Sequence, residues 1–236
     1  MVTKIFVNGD SHTAQVYGEH APTATEILAQ EFGCDYENIA LPGGSNQRII
    51  RTTQERLRHL DPNHTLIIIG WTSFERTEWF YSGRWHAICG DPYYEVDAQL
   101  GHMWQDHISR YDSTSPQERG RQHLEQHHAI YVFHNLLKDL GYQFIFYQGC
   151  RYHFFANTAQ ESQPFRLEWQ PNVWAHDPYH WIEDGQIRAD SFTYHAMSHG
   201  CSHADERAHF GADAHRLWAD RLRPMVQTKL SQLKGI

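Results

Sequence analysis

The sequence predicts an α/β fold of three layers, α/β/α, in which a parallel sheet lies between helices and carries an aromatic-rich insertion. Three observations predict it. Short apolar runs alternate with segments of helical periodicity; Leu66-Ile-Ile-Ile69 has the continuous β-branched character of a strand covered on both faces; and turn formers follow each of the first three strand candidates at once.

Lys4-Ile-Phe-Val7 reads as a buried strand that runs into Asn8-Gly9-Asp10, so the chain turns sharply just before Ser11. Thr23 or Thr25 caps a helix whose Ile27, Leu28 and Phe32 share one face, and Gly33 stops it. Asn38-Ile-Ala-Leu41 is the second strand candidate, closed by Pro42-Gly43-Gly44-Ser45-Asn46. A helix then carries Ile49, Ile50, Thr53, Leu57 and Leu60 at helical spacing until Asp61-Pro62 ends it. The strand Leu66–Ile69 follows, and Gly70 directly after it.

Between Trp71 and Asp112 the periodicity disappears while Trp71, Phe74, Trp79, Phe80, Trp85 and Trp104 crowd together, which predicts an insertion or lid at about 71–112. A long helix spans Pro116 to Leu140, ended by Gly141, and Phe144-Ile-Phe-Tyr147 is a fourth strand. Residues 150–200 are irregular, with short elements only. A last helix begins near Ala212 and carries Leu217, Trp218, Leu222, Met225 and Leu230, with Pro224 expected to bend or break it. No repeat or linker divides the chain, so residues 1–236 read as a single domain.

Hydrophobic residues at 40% and charged residues at 20% are enough to bury a core and exclude a disordered class. No apolar run approaches the roughly 18 residues that span a bilayer, and the opening Met1-Val-Thr-Lys-Ile-Phe-Val is too short for a signal-peptide core. The expectation is a cytoplasmic protein with no membrane partner. Cys34, Cys89, Cys150 and Cys201 form no Cys-x-x-Cys pair and read as free thiols. A net charge of -8 without a Lys/Arg cluster excludes nucleic acid as the expected partner.

Serine becomes a nucleophile when a base removes its proton, and a sharp turn after a strand exposes the hydroxyl and aims backbone N–H groups at an oxyanion. Ser11 has that setting. In open parallel sheets, sites gather at the carboxyl ends of strands, and Ser11, Gly43-Gly44 and Gly70-Trp71-Thr72 all follow strand candidates. Phe74-Glu75-Arg76-Thr77-Glu78 follows the third strand and either places charge in the cleft, with Glu75 and Arg76 as binding candidates, or forms a surface ion-paired turn.

The order Gly9-Asp10-Ser11, Pro42-Gly43-Gly44-Ser45-Asn46, a strand ending at Gly70, and His209-Phe210-Gly211 with His215 resembles the SGNH (GDSL-like) hydrolase family over nearly the whole chain. The resemblance implies a flavodoxin-like sheet and a serine ester hydrolase that forms a covalent acyl-enzyme. It implies Ser11 as nucleophile, His209 as general base and His215 as a helix residue six positions later. The family's Gly-x-Asn-Asp block would place its oxyanion Asn at Thr72, so either Thr72 or Asn46 fills that role, with the backbone N–H groups of Ser11 and Gly44. The family's Asp-x-x-His position holds Glu206, with Asp205 beside it, and either carboxylate would orient His209. No metal or cofactor is implied, and the substrate class is a small-molecule ester, acylated carbohydrates among them.

Two other functions compete. One keeps the fold but makes the chain a binding protein or an acyltransferase, because the family Asn is replaced. The other is a zinc-dependent enzyme built on His195, His199 and His203, whose four-residue spacing would align three imidazoles on a helix. Gly200 and Ser202 weaken that helix, and no His-Glu-x-x-His motif accompanies it.

Overall fold

Leu66, Ile67, Ile68 and Ile69 are all fully buried, as a central strand covered on both faces must be. The computed structural model describes residues 3–14, 21–74, 76–88, 101–102, 105–107, 109, 116–149, 153–154, 179–183, 186–188, 191–205 and 209–233; of 116–124, 153–154, 179–183 and 186–188 only the backbone is described. Strands β1 (Lys4–Gly9), β2 (Asp35–Asn38), β3 (Thr65–Trp71) and β6 (Gln143–Gln148) form one parallel sheet in the order β2-β1-β3-β6. The sheet separates two apolar layers. Ile5, Val7, Leu66, Ile68 and Ile145 pack with helices α1 (Ala24–Phe32), α4 (Phe192–Ser198) and α5 (Ala212–Leu233) on one face. Phe6, Ile67, Ile69, Phe144 and Phe146 pack with α2 (Asn46–Leu57) and α3 (Pro116–Asp139) on the other. The alternation within each strand assigns its two faces, and the three-layer α/β/α expectation holds.

The element ends follow local chemistry. Thr23 is the N-cap of α1, its hydroxyl accepting the Glu26 N–H at 3.3 Å, and Gly33 closes the helix in the left-handed region at φ 63°. Ser45 caps α2 by accepting the Arg48 N–H. Strand β2 begins at Asp35, three residues earlier than its apolar stretch suggests. It is an edge strand of half-exposed residues, and pairing with β1 rather than hydrophobicity defines it. Ile39 and Leu41 continue alongside, donating to the carbonyls of Val7 and Gly9. Helix α2 stops at Leu57, short of Asp61-Pro62, and α5 runs through Pro224 without interruption.

Part of the aromatic insertion is an antiparallel hairpin, β4 (Thr77–Tyr81) with β5 (Arg84–Ile88). Ser82 and Gly83 both have positive φ, 50° and 78°, as a two-residue hairpin loop requires. Arg51 of α2 anchors the hairpin through both Glu78 carboxylate oxygens, at 2.9 and 2.8 Å, and lies 4.6 Å from the Trp85 ring centre. Trp104 lies outside the described residues. Farther along, β7 (His153–Phe154) runs parallel to β8 (Tyr179–Glu183), which pairs antiparallel with β9 (Gln186–Arg188). No helix among the described residues is long and apolar enough to cross a membrane. Neither Cys34 nor Cys201 forms a disulfide, whereas Cys89 and Cys150 lie outside the described residues.

Candidate active site

From β1 the chain passes to β2 on one side and then to β3 on the other, so the connections reverse direction between β1 and β3. In open parallel sheets such a reversal is where ligand crevices form, at the carboxyl ends of the two strands. Asp10, Ser11, His12 and Thr13 leave β1 at this point in a single tight turn, with the Thr13 and Ala14 N–H groups donating to the Asp10 carbonyl at 3.0 and 2.8 Å. Glycines make room for it. A Cβ on Gly9 or Gly70 would collide with Thr13, and one on Gly149 would come within 3.2 Å of Asp10 Oδ1. Thr13 Oγ1 bonds the Tyr147 hydroxyl at 2.9 Å and ties the turn to β6. Behind it, buried Asn8 donates to Ile49 O, Thr52 Oγ1 and Thr53 Oγ1 and so fastens β1 to α2.

Asp10 is the hub of the rim, and its side chain is fully buried. Its Oδ1 accepts the His12 N–H at 3.0 Å; its Oδ2 accepts the Thr72 hydroxyl at 2.9 Å and an Arg76 N–H at 3.2 Å. This carboxylate satisfies its lone pairs with charge-assisted bonds, which compensates its burial. Thr72 is held in turn by Asn46, whose Oδ1 accepts the Thr72 N–H at 3.0 Å and whose amide donates to Thr72 O at 3.2 Å and Gln126 Oε1 at 3.3 Å. The Gly44 N–H donates to Leu41 O at 2.9 Å. The side-chain donors of Thr72 and Asn46 and the Gly44 N–H are thus committed inside the protein. Ser11 is 95% buried as a residue (5% exposed), and neither its hydroxyl nor its N–H has a hydrogen-bond partner among the described residues. The buried Ser73 hydroxyl, next to Thr72, is likewise without a partner.

The other half of the site comes from the segment before α5. Asp205 Oδ2 lies 2.6 Å from His209 Nδ1, and its Oδ1 accepts the His209 N–H at 3.1 Å. A carboxylate only accepts, so Nδ1 carries the proton and Nε2 is left basic. The His209 ring meets the His12 ring edge to face with centres 5.9 Å apart, which brings the Asp205–His209 pair beside the turn that carries Ser11. No hydrogen bond joins His209 to Ser11 in this geometry. His12 itself packs against Phe192 and Phe210, its Nδ1 is buried without a partner, and burial pushes its pKa down, with Asp10 and Asp205 opposing and Arg76 assisting.

His215 has a different place. It lies in α5, stacks on Phe192 with ring centres 5.1 Å apart, and its Nδ1 accepts the Ala24 N–H at the start of α1 at 3.3 Å. Burial pushes its pKa down to about 4, so it is a neutral, packed imidazole. His195 and His199 lie 4.3 Å apart by ring centres, but α4 ends at Ser198 and Gly200 takes φ 73°, so His203 leaves the helix and packs on Phe210 at 4.7 Å. Among the described residues no three His, Cys, Asp or Glu side chains come together as a metal site. Glu75 and Glu206 lie outside the described residues.

A family profile described as "Family of unknown function (DUF6071)" matches residues 8–173, more than half of the chain. The chain belongs to DUF6071. The matched span of this DUF6071 member holds the Asp10–Ser11 turn, Gly44, Asn46, Thr72 and Arg76, and Asp205 and His209 lie beyond it. No curated protein matches the chain. Sequence reasoning missed the roles of Asp10 and His12 in this DUF6071 site. Asp10 read only as a turn former, and nothing local to His12 marks a ring that will meet His209.

Proposed function

We propose that this DUF6071 member is a serine ester hydrolase of the kind its resemblance to the SGNH family implies, acting in the cytoplasm on small-molecule esters without a metal or cofactor. The observation that carries the reading is the Asp205–His209 pair, 2.6 Å between Oδ2 and Nδ1, set beside the turn that bears Ser11. Asp205 orients the imidazole and stabilises the imidazolium that forms. His209 Nε2 takes the Ser11 proton as Oγ bonds the acyl carbon, and the same proton passes to the alcohol oxygen as the ester C–O bond breaks. Water then gives a proton to His209 and its oxygen to the acyl carbon; the proton returns to Ser11 and the acid is released. The Ser11 N–H and the Ser73 hydroxyl are donors without partners near the crevice and serve the oxyanion. Gly44, Asn46, Thr72 and Arg76 build and hold the rim. Cys34 and Cys201, neither of them in a disulfide, suit a reducing compartment.

A second reading, a binding protein or acyltransferase on the same fold, draws support from the committed donors of Asn46, Thr72 and Gly44. One experiment separates them. A fluorophosphonate probe and a generic acetyl ester are offered to the protein and to Ser11→Ala. Labelling at Ser11 with hydrolysis that disappears in the variant upholds the hydrolase; an unlabelled serine with unchanged background hydrolysis rejects it.

A further inference from the structure

The Asp205–His209 pair is braced from within its own segment. Both Asp205 bonds reach His209, the Ala204 N–H donates to His209 O at 2.6 Å, and His203 forms a β-bridge with Phe210. These contacts all fall between residues 203 and 210, so they fix the imidazole relative to its own loop and leave its place relative to Ser11 to contacts with the turn. Among the described residues, the ring contacts that reach the turn are those of His12, with His209 at 5.9 Å and with Phe210 at 6.2 Å between ring centres.

His12 is suited to carry that reference. It is bonded directly to Ser11 in the chain, and its own N–H is held by Asp10 Oδ1 at 3.0 Å. Phe192 of α4 also packs on the ring, at 5.6 Å, and meets Phe210 nearly at right angles. A ring set against His209, Phe210 and Phe192 in tilted and edge-to-face contacts has little freedom to shift. Neither ring nitrogen of His12 has a hydrogen-bond partner among the described residues, and Nδ1 is buried, so the imidazole serves here as a flat ring rather than as a donor or a base. Burial pushes its pKa down, with Asp10 and Asp205 opposing and Arg76 assisting, and the neighbouring His215 is neutral too. A neutral ring does not repel the imidazolium that His209 becomes.

We propose that His12 is a positioning residue whose ring sets the place of the His209 imidazole relative to Ser11, acting through His209 and not on the substrate. The inference rests on the hydrolase reading, and its test keeps the two apart. On the full chain, kcat and KM for phenyl acetate and the pH dependence of kcat are measured for the wild type, Ser11→Ala, His12→Leu and His12→Phe, with thermal unfolding beside them. His12→Leu keeps apolar bulk and loses the ring; kcat should fall about tenfold or more while KM changes less than about twofold, since misplacing a catalytic group acts on the chemical step. His12→Phe keeps a ring and should hold kcat within about threefold of wild type, with the acid limb of the kcat profile, which reports His209, at the wild-type pH. If the Leu variant does not fold, His12→Met fills the slot in its place. A folded Leu or Met variant with wild-type kcat makes His12 a packing residue and overturns the proposal. A folded Phe variant as slow as the Leu variant also overturns it, because an imidazole nitrogen would then be in use. Either result leaves Ser11-dependent turnover, and with it the hydrolase, standing. Absence of Ser11-dependent turnover in the wild type overturns both.

Discussion

Asp205 grips His209 twice, through Nδ1 at 2.6 Å and through the backbone N–H at 3.1 Å, so the carboxylate fixes both the imidazole's orientation and the backbone at His209. In the proposed reaction the pair supplies a base whose tautomer is already correct. Asp205→Asn should therefore lower kcat about a thousandfold while leaving the fold intact. Circular dichroism and turnover on an acetyl ester check it; near-normal kcat in a folded variant would remove Asp205 from the mechanism.

His209→Ala and His215→Ala should behave differently despite their six-residue spacing. His209 faces the turn of Ser11 and its loss should lower kcat by several orders of magnitude with little effect on thermal unfolding. His215 receives the Ala24 N–H and stacks on Phe192, so its loss should cost on the order of 1–2 kcal/mol of stability while the folded fraction keeps most of its turnover. Rates and unfolding midpoints measured on both variants decide the assignment, and the reverse pattern would exchange the two roles.

Stability should fall with acid through His215. Its folded-state pKa of about 4 lies below the ordinary 6.5, so the native state favours the neutral ring. The unfolded chain binds a proton first as the pH drops. The contribution is whole above about pH 6.5 and is lost progressively toward pH 4, amounting to roughly 3 kcal/mol as an upper figure. Chemical denaturation between pH 7.5 and 4 should show this slope in the wild type and a shallower one in His215→Asn. Equal slopes would mean that His215 titrates normally in the native state.

Gly70→Ala should destabilise the fold by about 2 kcal/mol or more, because the new methyl collides with Thr13 Oγ1 and lies 2.9 Å from the Tyr147 hydroxyl. Removing the hydroxyl group in the double variant Gly70→Ala/Thr13→Ala should recover part of the loss. Additive unfolding free energies would show that the two sites do not press on each other.

The parallel sheet and its flanking helices were legible along the chain because their signals are local. Leu66–Ile69 is apolar throughout, Thr23 and Gly33 bracket α1 with capping chemistry, and Ser11 follows a buried strand directly. The hairpin had a local signal too, in Ser82-Gly83 between aromatic residues, but the surrounding Trp and Tyr obscured the strand alternation. Strand β2 was misplaced by three residues because an edge strand needs backbone partners more than apolar side chains, and those partners are on β1. Pro224 proved compatible with an unbroken α5 in a helix held along its length by burial of Trp218, Leu222, Val226 and Leu230. The choice of Asp205 as the partner of His209, the commitment of the Asn46 and Thr72 donors, and the meeting of His12 with His209 were decided by tertiary structure alone. The last two join segments far apart in the chain, Asn46 with Thr72 and His12 with His209. The first is local, but which of two adjacent carboxylates meets the imidazole depends on hydrogen-bond geometry that residue spacing does not express.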